Sequence, residues 1–550
     1  MESSKKSVII SLIYKFLERC GCQGVSFIVQ IVLARLLDPT DYGVLTLLTI
    51  FITISQVFVQ SGFNTALIQR KDVTEKDYSS VFYLSLSIAL ILYVILFFSA
   101  PFIADFYDMP QLKNVLRVLA IILIPGAFNS IQNAKIAKEM KFKELMYCTL
   151  GSVIISGAVG IVMAYLGYGV WALVGQQLSN QVSICIIMML VVKWRPMLIF
   201  EIKRVKVLFS FGWKLLCSNL ISNIYNELRS LVIGKKYNSA TLGYYNRGKQ
   251  FPTLIVNNID GSIQSVMLPA LSKEQDNKER VKSMMRRSIV TSSFVIFPLM
   301  AGLAAVAEPL ISLVLTDKWL PCVPYLRVYC FIFAFYPINT ANLQALNAQG
   351  RSDQFLKLEI IKKCYGILIL LITVFCFKTP LAIALGGAVS SLISCFVNAS
   401  PNKKLLNYSY LEQMKDLFPS MGIAAIMGII VYGISFLALP SLLKLIIQVL
   451  LGVIIYVGLA WIFKLECFIY LKNIIFHNIF CISCRFRMGM DHFFQFLVLR
   501  GGSYRNFSAC GTILFCAPHS GSNPTVAVCT AIRHCSLPYY NTIFRSQYPI

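Results

Sequence analysis

YSSVFYLSLSIALILYVILFFSA, residues 78–100, contains no charged side chain. An apolar run of this length is what a single helix needs to cross a bilayer. Fourteen such segments are read along the chain, beginning near 7–36 and 42–63, including 207–233, 250–271 and 355–377, and ending near 418–439 and 441–463. The expected fold is therefore an all-α polytopic membrane protein of about fourteen transmembrane helices.

Composition agrees. Of the 550 residues, 57% are hydrophobic and 14% charged, against about a quarter charged in an ordinary soluble domain. A net charge of +25 would suggest nucleic acid in a soluble protein, yet here the cations sit in short loops beside the spans. They favour contact with anionic membrane lipids, and no nucleic-acid partner is expected.

Those loops fix an expected orientation, because Lys and Arg are retained on the cytoplasmic side. Lys76, Lys135, Lys138, Lys141, Lys143, Lys193, Arg195, Lys273, Arg280, Arg286, Arg351 and Lys403 fall on one side, together with both ends of the span region. The opposite turns, such as Asp38–Tyr42, Asp105–Pro110 and Gly167–Gly169, are nearly free of cations. Lys235, Lys236, Arg247 and Lys249 form the exception. The amino terminus is expected in the cytoplasm, and the first span has no cleavage pattern that would make it a signal peptide.

An internal repeat recurs at an offset near 200: Val32-Leu33-Ala34-Arg35 through Asp38 to Gly43 parallels Val232-Ile233-Gly234-Lys235 through Asn238 to Gly243. Both copies close an odd-numbered span, so a pseudo-twofold axis would lie along the membrane normal. This divides the chain into an amino-terminal six-helix lobe at 1–206, a second six-helix lobe at 207–400, two additional spans at 401–470 and a tail at 471–550. In the tail, residue usage changes abruptly: no Lys follows Lys472, no Glu follows Glu466, and all four His and six of the 17 Cys lie there. Out-of-frame sequence would read this way. The Cys481-x-x-Cys484 pair lacks a second pair at zinc-ribbon spacing, so no metal is expected.

Polar residues within the spans are the candidate site. At 100° per residue, Ser11, Lys15, Glu18, Arg19, Ser26 and Gln30 share one face of the first helix. Ionisable groups at membrane depth face a bundle interior or a wet cavity, although Lys15 and Arg19 also fit snorkelling toward the interface, with Glu18 as a local partner. The seventh span carries Asn219, Asn223, Asn226 and Glu227 on one stripe with Arg229 beside it. Interhelical hydrogen bonding or a polar lining would each use such amides. Asn257 and Asp260 in the eighth span, Gln176, Gln177, Asn180 and Gln181 in the sixth, Arg117 in the fourth and Arg327 in the tenth complete the set. Amides pair with sugar hydroxyls and cations with phosphate, so this lining suits an anionic glycolipid better than a lipophilic cation.

No P-loop is present, and Asp38 and Asp41 read as a helix start rather than a metal site, so no enzyme is expected. The stretch Lys15-Phe16-Leu17-Glu18-Arg19, then Ile31 through Gly43, then Ala66-Leu67-Ile68-Gln69-Arg70-Lys71 resembles the amino-terminal signature of Wzx-type polysaccharide flippases. Tyr244-Tyr245-Asn246-Arg247-Gly248 and Leu268-Pro269-Ala270-Leu271-Ser272 resemble the corresponding second-half segments. The likeness covers about residues 5–470 and is specific for the colanic-acid-exporter-like branch of the multidrug/oligosaccharidyl-lipid/polysaccharide exporter superfamily.

That resemblance implies a bacterial inner-membrane flippase for undecaprenyl-pyrophosphate-linked oligosaccharide repeat units, working by alternating access beside a polysaccharide polymerase and a chain-length regulator. It implies no cofactor. Coupling to H+ or Na+ is expected of the family, and no residue identifies the ion. On this reading Lys15, Arg19 and Arg229 would contact pyrophosphate, and Asn219, Asn223 and Asn226 the sugars. A drug or metabolite antiporter of the same superfamily, a membrane polymerase and an assembly scaffold are the alternatives.

Overall fold

The computed structural model describes residues 2–473 apart from 61–62 and 70–72. The tail, with its cysteine and histidine pattern, lies outside the described residues, as do Arg70, Lys71 and the side chain of Lys15. Among the described residues every regular element is a helix: α1 (Glu2–Leu36), α2 (Pro39–Gln60), α3 (Phe63–Gln69), α4 (Glu75–Phe106), α5 (Gln111–Leu119), α6 (Leu123–Glu139), α7 (Phe142–Tyr165), α8 (Val170–Val192), α9 (Ile202–Lys236), α10 (Ser239–Lys273), α11 (Lys278–Ala305), α12 (Ala307–Leu315), α13 (Val323–Ala334), α14 (Tyr336–Ala348), α15 (Ser352–Cys376), α16 (Pro380–Leu406), α17 (Tyr410–Gly433) and α18 (Ser441–Ile462).

Eleven of these helices or collinear helix runs are long and apolar enough to cross a membrane. The expectation of about fourteen exceeds this by α9, α10 and α15. They have the length, at 35, 35 and 25 residues, but polar residues depress their hydropathy: the candidate site residues of α9 and α10, and Lys357, Glu359, Lys362 and Lys363 in α15. Several spans are also interrupted. A 3-10 turn joins α5 to α6, Val306 separates α11 from α12, and Pro337 in the first turn of α14 prevents α13 from continuing.

The helix starts obey local chemistry. Asn238 caps α10 by accepting from the Thr241 N–H at 2.8 Å, and Asp41 Oδ2 accepts from the Asp38 N–H at 3.2 Å to cap α2. Asp41 also receives the Val170 N–H at the start of α8. One carboxylate thus serves two helix N-termini, consistent with the helix-start reading. Gly169, at φ +54°, brings the α7–α8 turn against it.

Helices α1 to α8 pack mainly among themselves, with α7 between α1 and α8 and α6 against α4 and α8. Helices α10 to α18 do likewise, with α11 against α17 and α10 against α13 and α14. The two groups meet where α2 lies along α10 and α9, and where α1 reaches α12. Both copies of the internal repeat sit at this junction.

The cations that broke the loop pattern are explained by what they bind, and Arg35 at the end of α1 follows the same rule. Arg35 donates to the carbonyls of Leu313 and Val314 at the C-terminus of α12, at 2.5 and 2.8 Å. Lys235 donates to the Phe106 carbonyl at the end of α4 and to Asp108 at 3.0 Å. Lys236 donates to the carbonyls of Val374 and Phe377. Each cation meets the negative end of another helix, the favourable polarity of the helix dipole. Arg247 and Lys249 are not in a loop at all, because α10 already begins at Ser239.

At the opposite, basic end the segment joining the two groups is pinned to α4. Trp194 donates to Glu75 at 2.7 Å, and Ser79 and Ser80 accept the backbone N–H groups of Met197 and Glu201 at 2.9 and 3.1 Å. Arg286 meets Asp416 through both carboxylate oxygens at 2.9 Å, and the Tyr408 hydroxyl donates to the same carboxylate at 2.8 Å. Burial, followed by that hydrogen bond to Asp416, pushes the Tyr408 hydroxyl far above its ordinary value.

Candidate functional site

The polar face of α1 looks onto α10, and the two helices run antiparallel. Gln250 donates to Gln30, Asn258 donates to Gln23 at 3.4 Å, and the Arg19 guanidinium comes within 3.5 Å of where a Cβ on Gly261 would stand. Long polar side chains therefore bridge the first group of helices to the second. Gln30 is half-buried on this face and Arg19 is exposed.

Beside this seam lie two adjoining cavities. One, of about 300 Å³, is lined by Gln30, Tyr42, Thr46 and Thr49 from the first group, Gln176 and Gln177 from α8, and Gly243, Asn246, Arg247 and Gln250 from α10. The other, of about 400 Å³, shares Gln30, Thr49, Gln176 and Gln177 and adds Thr53, Gln56, Asn180 and Gln181. Ile52 and Ile122 complete its wall, and none of its lining residues is charged.

Arg247 is the residue that spacing alone did not single out as a site. It is only 5% exposed. Its guanidinium lies 4.4 Å from the Tyr42 ring centre and 5.0 Å from that of Trp319, and Nη1 donates to Gln250 at 2.5 Å. Trp319 is itself anchored, donating to the Ala34 carbonyl at 2.8 Å. The Tyr42 hydroxyl lies beside Arg247, yet neither it nor Nη2 has a well-formed hydrogen bond within the protein. A buried N–H left this way costs about 1–3 kcal/mol unless water or a ligand meets it. The signal was present in the sequence: Gly243, Asn246, Arg247 and Gln250 fall at i, i+3, i+4 and i+7, one face of a helix capped by Asn238.

The other candidates divide. Asn219 and Asn226 are exposed in the middle of α9, and Asn223 between them is half-buried and donates to the Asn219 carbonyl at 2.8 Å. Glu227 and Arg229 lie further along α9, in electrostatic reach of Lys249 on α10, and Arg229 packs beside Gly387 of α16. Arg19 and Arg229 are thus not one phosphate clamp, since Arg19 faces Gly261 and Arg229 faces α16. Glu18 is half-buried and Asn257 exposed.

Asp260 is buried at 6% exposure and accepts from Gln264 at 2.7 Å. Arg117 lines neither cavity. It stacks 4.2 Å from the Phe97 ring centre and donates to the Phe97 carbonyl at 3.2 Å, tying α5 to α4. Arg327 lines a separate cleft of about 410 Å³ at the Asp38 end with Ser312, Ser441 and Lys444, and pairs with Glu308 at 2.9 Å. Among the described residues no group of His, Cys, Asp and Glu could hold a metal ion.

The profile of the family described as "Polysaccharide biosynthesis protein" matches residues 32–324. The chain is 27% identical over 416 residues to the teichuronic acid biosynthesis protein TuaB of Bacillus subtilis (strain 168), covering 74% of this chain and 85% of that one. It is 22% identical over 422 residues to the lipopolysaccharide biosynthesis protein WzxC of Escherichia coli (strain K12), again covering 74% and 85%. Its fold is similar to that of the lipid II flippase MurJ in an inward closed conformation, with a TM-score of 0.66 and 18% identity over 83% of this chain and 98% of that one. With its long apolar helices and polar, partly open cavities beside the seam of two helix groups, the chain belongs to the polysaccharide biosynthesis protein family, as a multi-pass membrane transporter of the Wzx-like type and not an enzyme.

Proposed function

We propose that this protein is a flippase that moves a prenyl-pyrophosphate-linked oligosaccharide across a bacterial inner membrane for surface polysaccharide synthesis. In this reading all fourteen long helices cross the bilayer, the groups at 1–206 and 207–400 act as pseudo-symmetric lobes, and 401–470 supplies two additional spans. The amino terminus and the basic end face the cytoplasm. The headgroup enters between the lobes from that side, passes Lys15 and Arg19, and reaches Arg247, while the prenyl tail stays in lipid. Asn219, Asn223, Asn226 and Asn257 line the approach, and Glu227, Arg229 and Asp260 act from within the second lobe.

The observation that carries this reading is the pair of adjoining amide-rich cavities with buried Arg247 lining one of them. Hydroxyl-rich and anionic groups find donors there. A lipophilic cation finds no carboxylate lining either cavity. Such a flippase supplies a membrane polymerase and its chain-length regulator on the far side. The test is the sidedness of the lipid-linked repeat unit in cells lacking the protein. Build-up on the cytoplasmic leaflet supports the reading, and normal delivery with unpolymerised units outside contradicts it.

One observation favours a second reading, drug or metabolite antiport: the buried carboxylate of Asp260. Efflux that is lost in Asp260→Asn but retained in Arg247→Leu supports antiport.

A further inference from the structure

We infer that the 400 Å³ cavity inside the first group of helices is a subsite for an uncharged glycosyl unit of the cargo, so that it selects against a sugar carrying a carboxylate at that position. The inference rests on the flippase reading and adds a substrate preference to it.

Three observations carry it. The cavity wall combines amides and threonine hydroxyls from α1, α2 and α8 with two isoleucines, and no charged side chain reaches it. Two of its amides, Asn180 and Gln181, are held from behind. Asn129 donates to both the backbone and the side-chain oxygen of Gln181, at 3.1 and 2.9 Å, and Asn180 donates to Ser156 at 3.1 Å. Arg247 lines the neighbouring cavity and not this one.

Fixed amides present donors and acceptors together, the complement of a sugar hydroxyl, which is both at once. A carboxylate placed among them would lose its hydration and gain no counter-charge. The volume lies within the range of pockets that enclose small ligands. Orientation by Asn129 and Ser156 lowers the entropy lost on binding.

The experiment uses the full chain in proteoliposomes with two probes: undecaprenyl-pyrophosphate bearing a disaccharide of two neutral hexoses, and the same lipid with the distal hexose oxidised at C6 to a uronate. The expected result is translocation of the neutral probe at least fivefold faster by the unmodified protein. Asn180→Lys and Gln177→Lys each place a cation in the cavity and should narrow or reverse that ratio. Because the readout is a ratio within one preparation, a smaller folded fraction does not imitate the effect. Equal rates for the two probes, or a ratio unmoved by both lysine variants, overturn the subsite while leaving the flippase reading intact. Movement of neither probe overturns both.

Discussion

Gly43 and Gly243 face each other across the junction of the two helix groups. A Cβ on Gly243 would stand 2.1 Å from the Pro39 carbonyl oxygen and 3.4 Å from the Gly43 nitrogen, and a Cβ on Gly43 would stand 1.7 Å from the Ser239 carbonyl oxygen. Pro39 and Ser239 hold equivalent places in the internal repeat, as do the two glycines, so each copy receives the first helical turn of the other. The contact is backbone against backbone, and no rotamer change relieves a methyl group placed there.

Gly43→Ala and Gly243→Ala should therefore each separate α2 from α10 at this end. A loss of about 1–3 kcal/mol is expected from overpacking, read as a lower melting temperature of the purified protein. Gly422→Ala, where nothing lies within 4 Å of the added Cβ, should leave melting nearly unchanged.

Arg247 should tolerate neither loss of charge nor loss of shape. Its guanidinium spans Tyr42 on α2 and Trp319 beyond α12, contacts worth about 0.5–2 kcal/mol each. Arg247→Leu should reduce translocation at least tenfold. Arg247→Lys should recover only part of it, because an ammonium keeps the charge and lacks the planar fork. Flipping rates normalised to folded protein decide this.

The α1–α10 seam gives a geometric prediction. With other reactive cysteines removed, Gln23→Cys paired with Asn258→Cys should be joined by a short bifunctional maleimide in the resting protein. Gln23→Cys paired with Leu356→Cys, a position exposed on α15, should not. Equal yields for the two pairs would contradict the bridged arrangement.

At the basic end, Asp416 is largely hidden and takes three donors from Arg286 and Tyr408. Asp416→Asn should cost about 1–3 kcal/mol, discounted because Arg286 is half exposed and screened by solvent. Thermal melting tests this, with Arg280→Gln, whose partner Glu274 lies on the surface of the same end, changing little.

The sequence made the helical membrane class legible because a bilayer demands long uncharged runs such as 78–100. The polar face of α1 was readable from the spacing of Glu18, Arg19, Ser26 and Gln30. Arg247 was harder to read, since a cation next to a presumed turn imitates a loop residue until the Asn238 cap extends α10 back to Ser239 and sets it on one helical face with Gly243, Asn246 and Gln250. Arg117 was hard to place for the opposite reason: it lies within a helical run, but its partner, the Phe97 carbonyl, is fixed by tertiary packing that no local pattern encodes.

The most direct test of the account is translocation by the purified full chain in proteoliposomes, using a fluorescent undecaprenyl-pyrophosphate-linked disaccharide and a membrane-impermeant reagent that reports which leaflet holds it. The account predicts movement that requires the protein and falls at least tenfold in Arg247→Leu. Movement no faster than in protein-free vesicles, or a rate indifferent to Arg247, would contradict it.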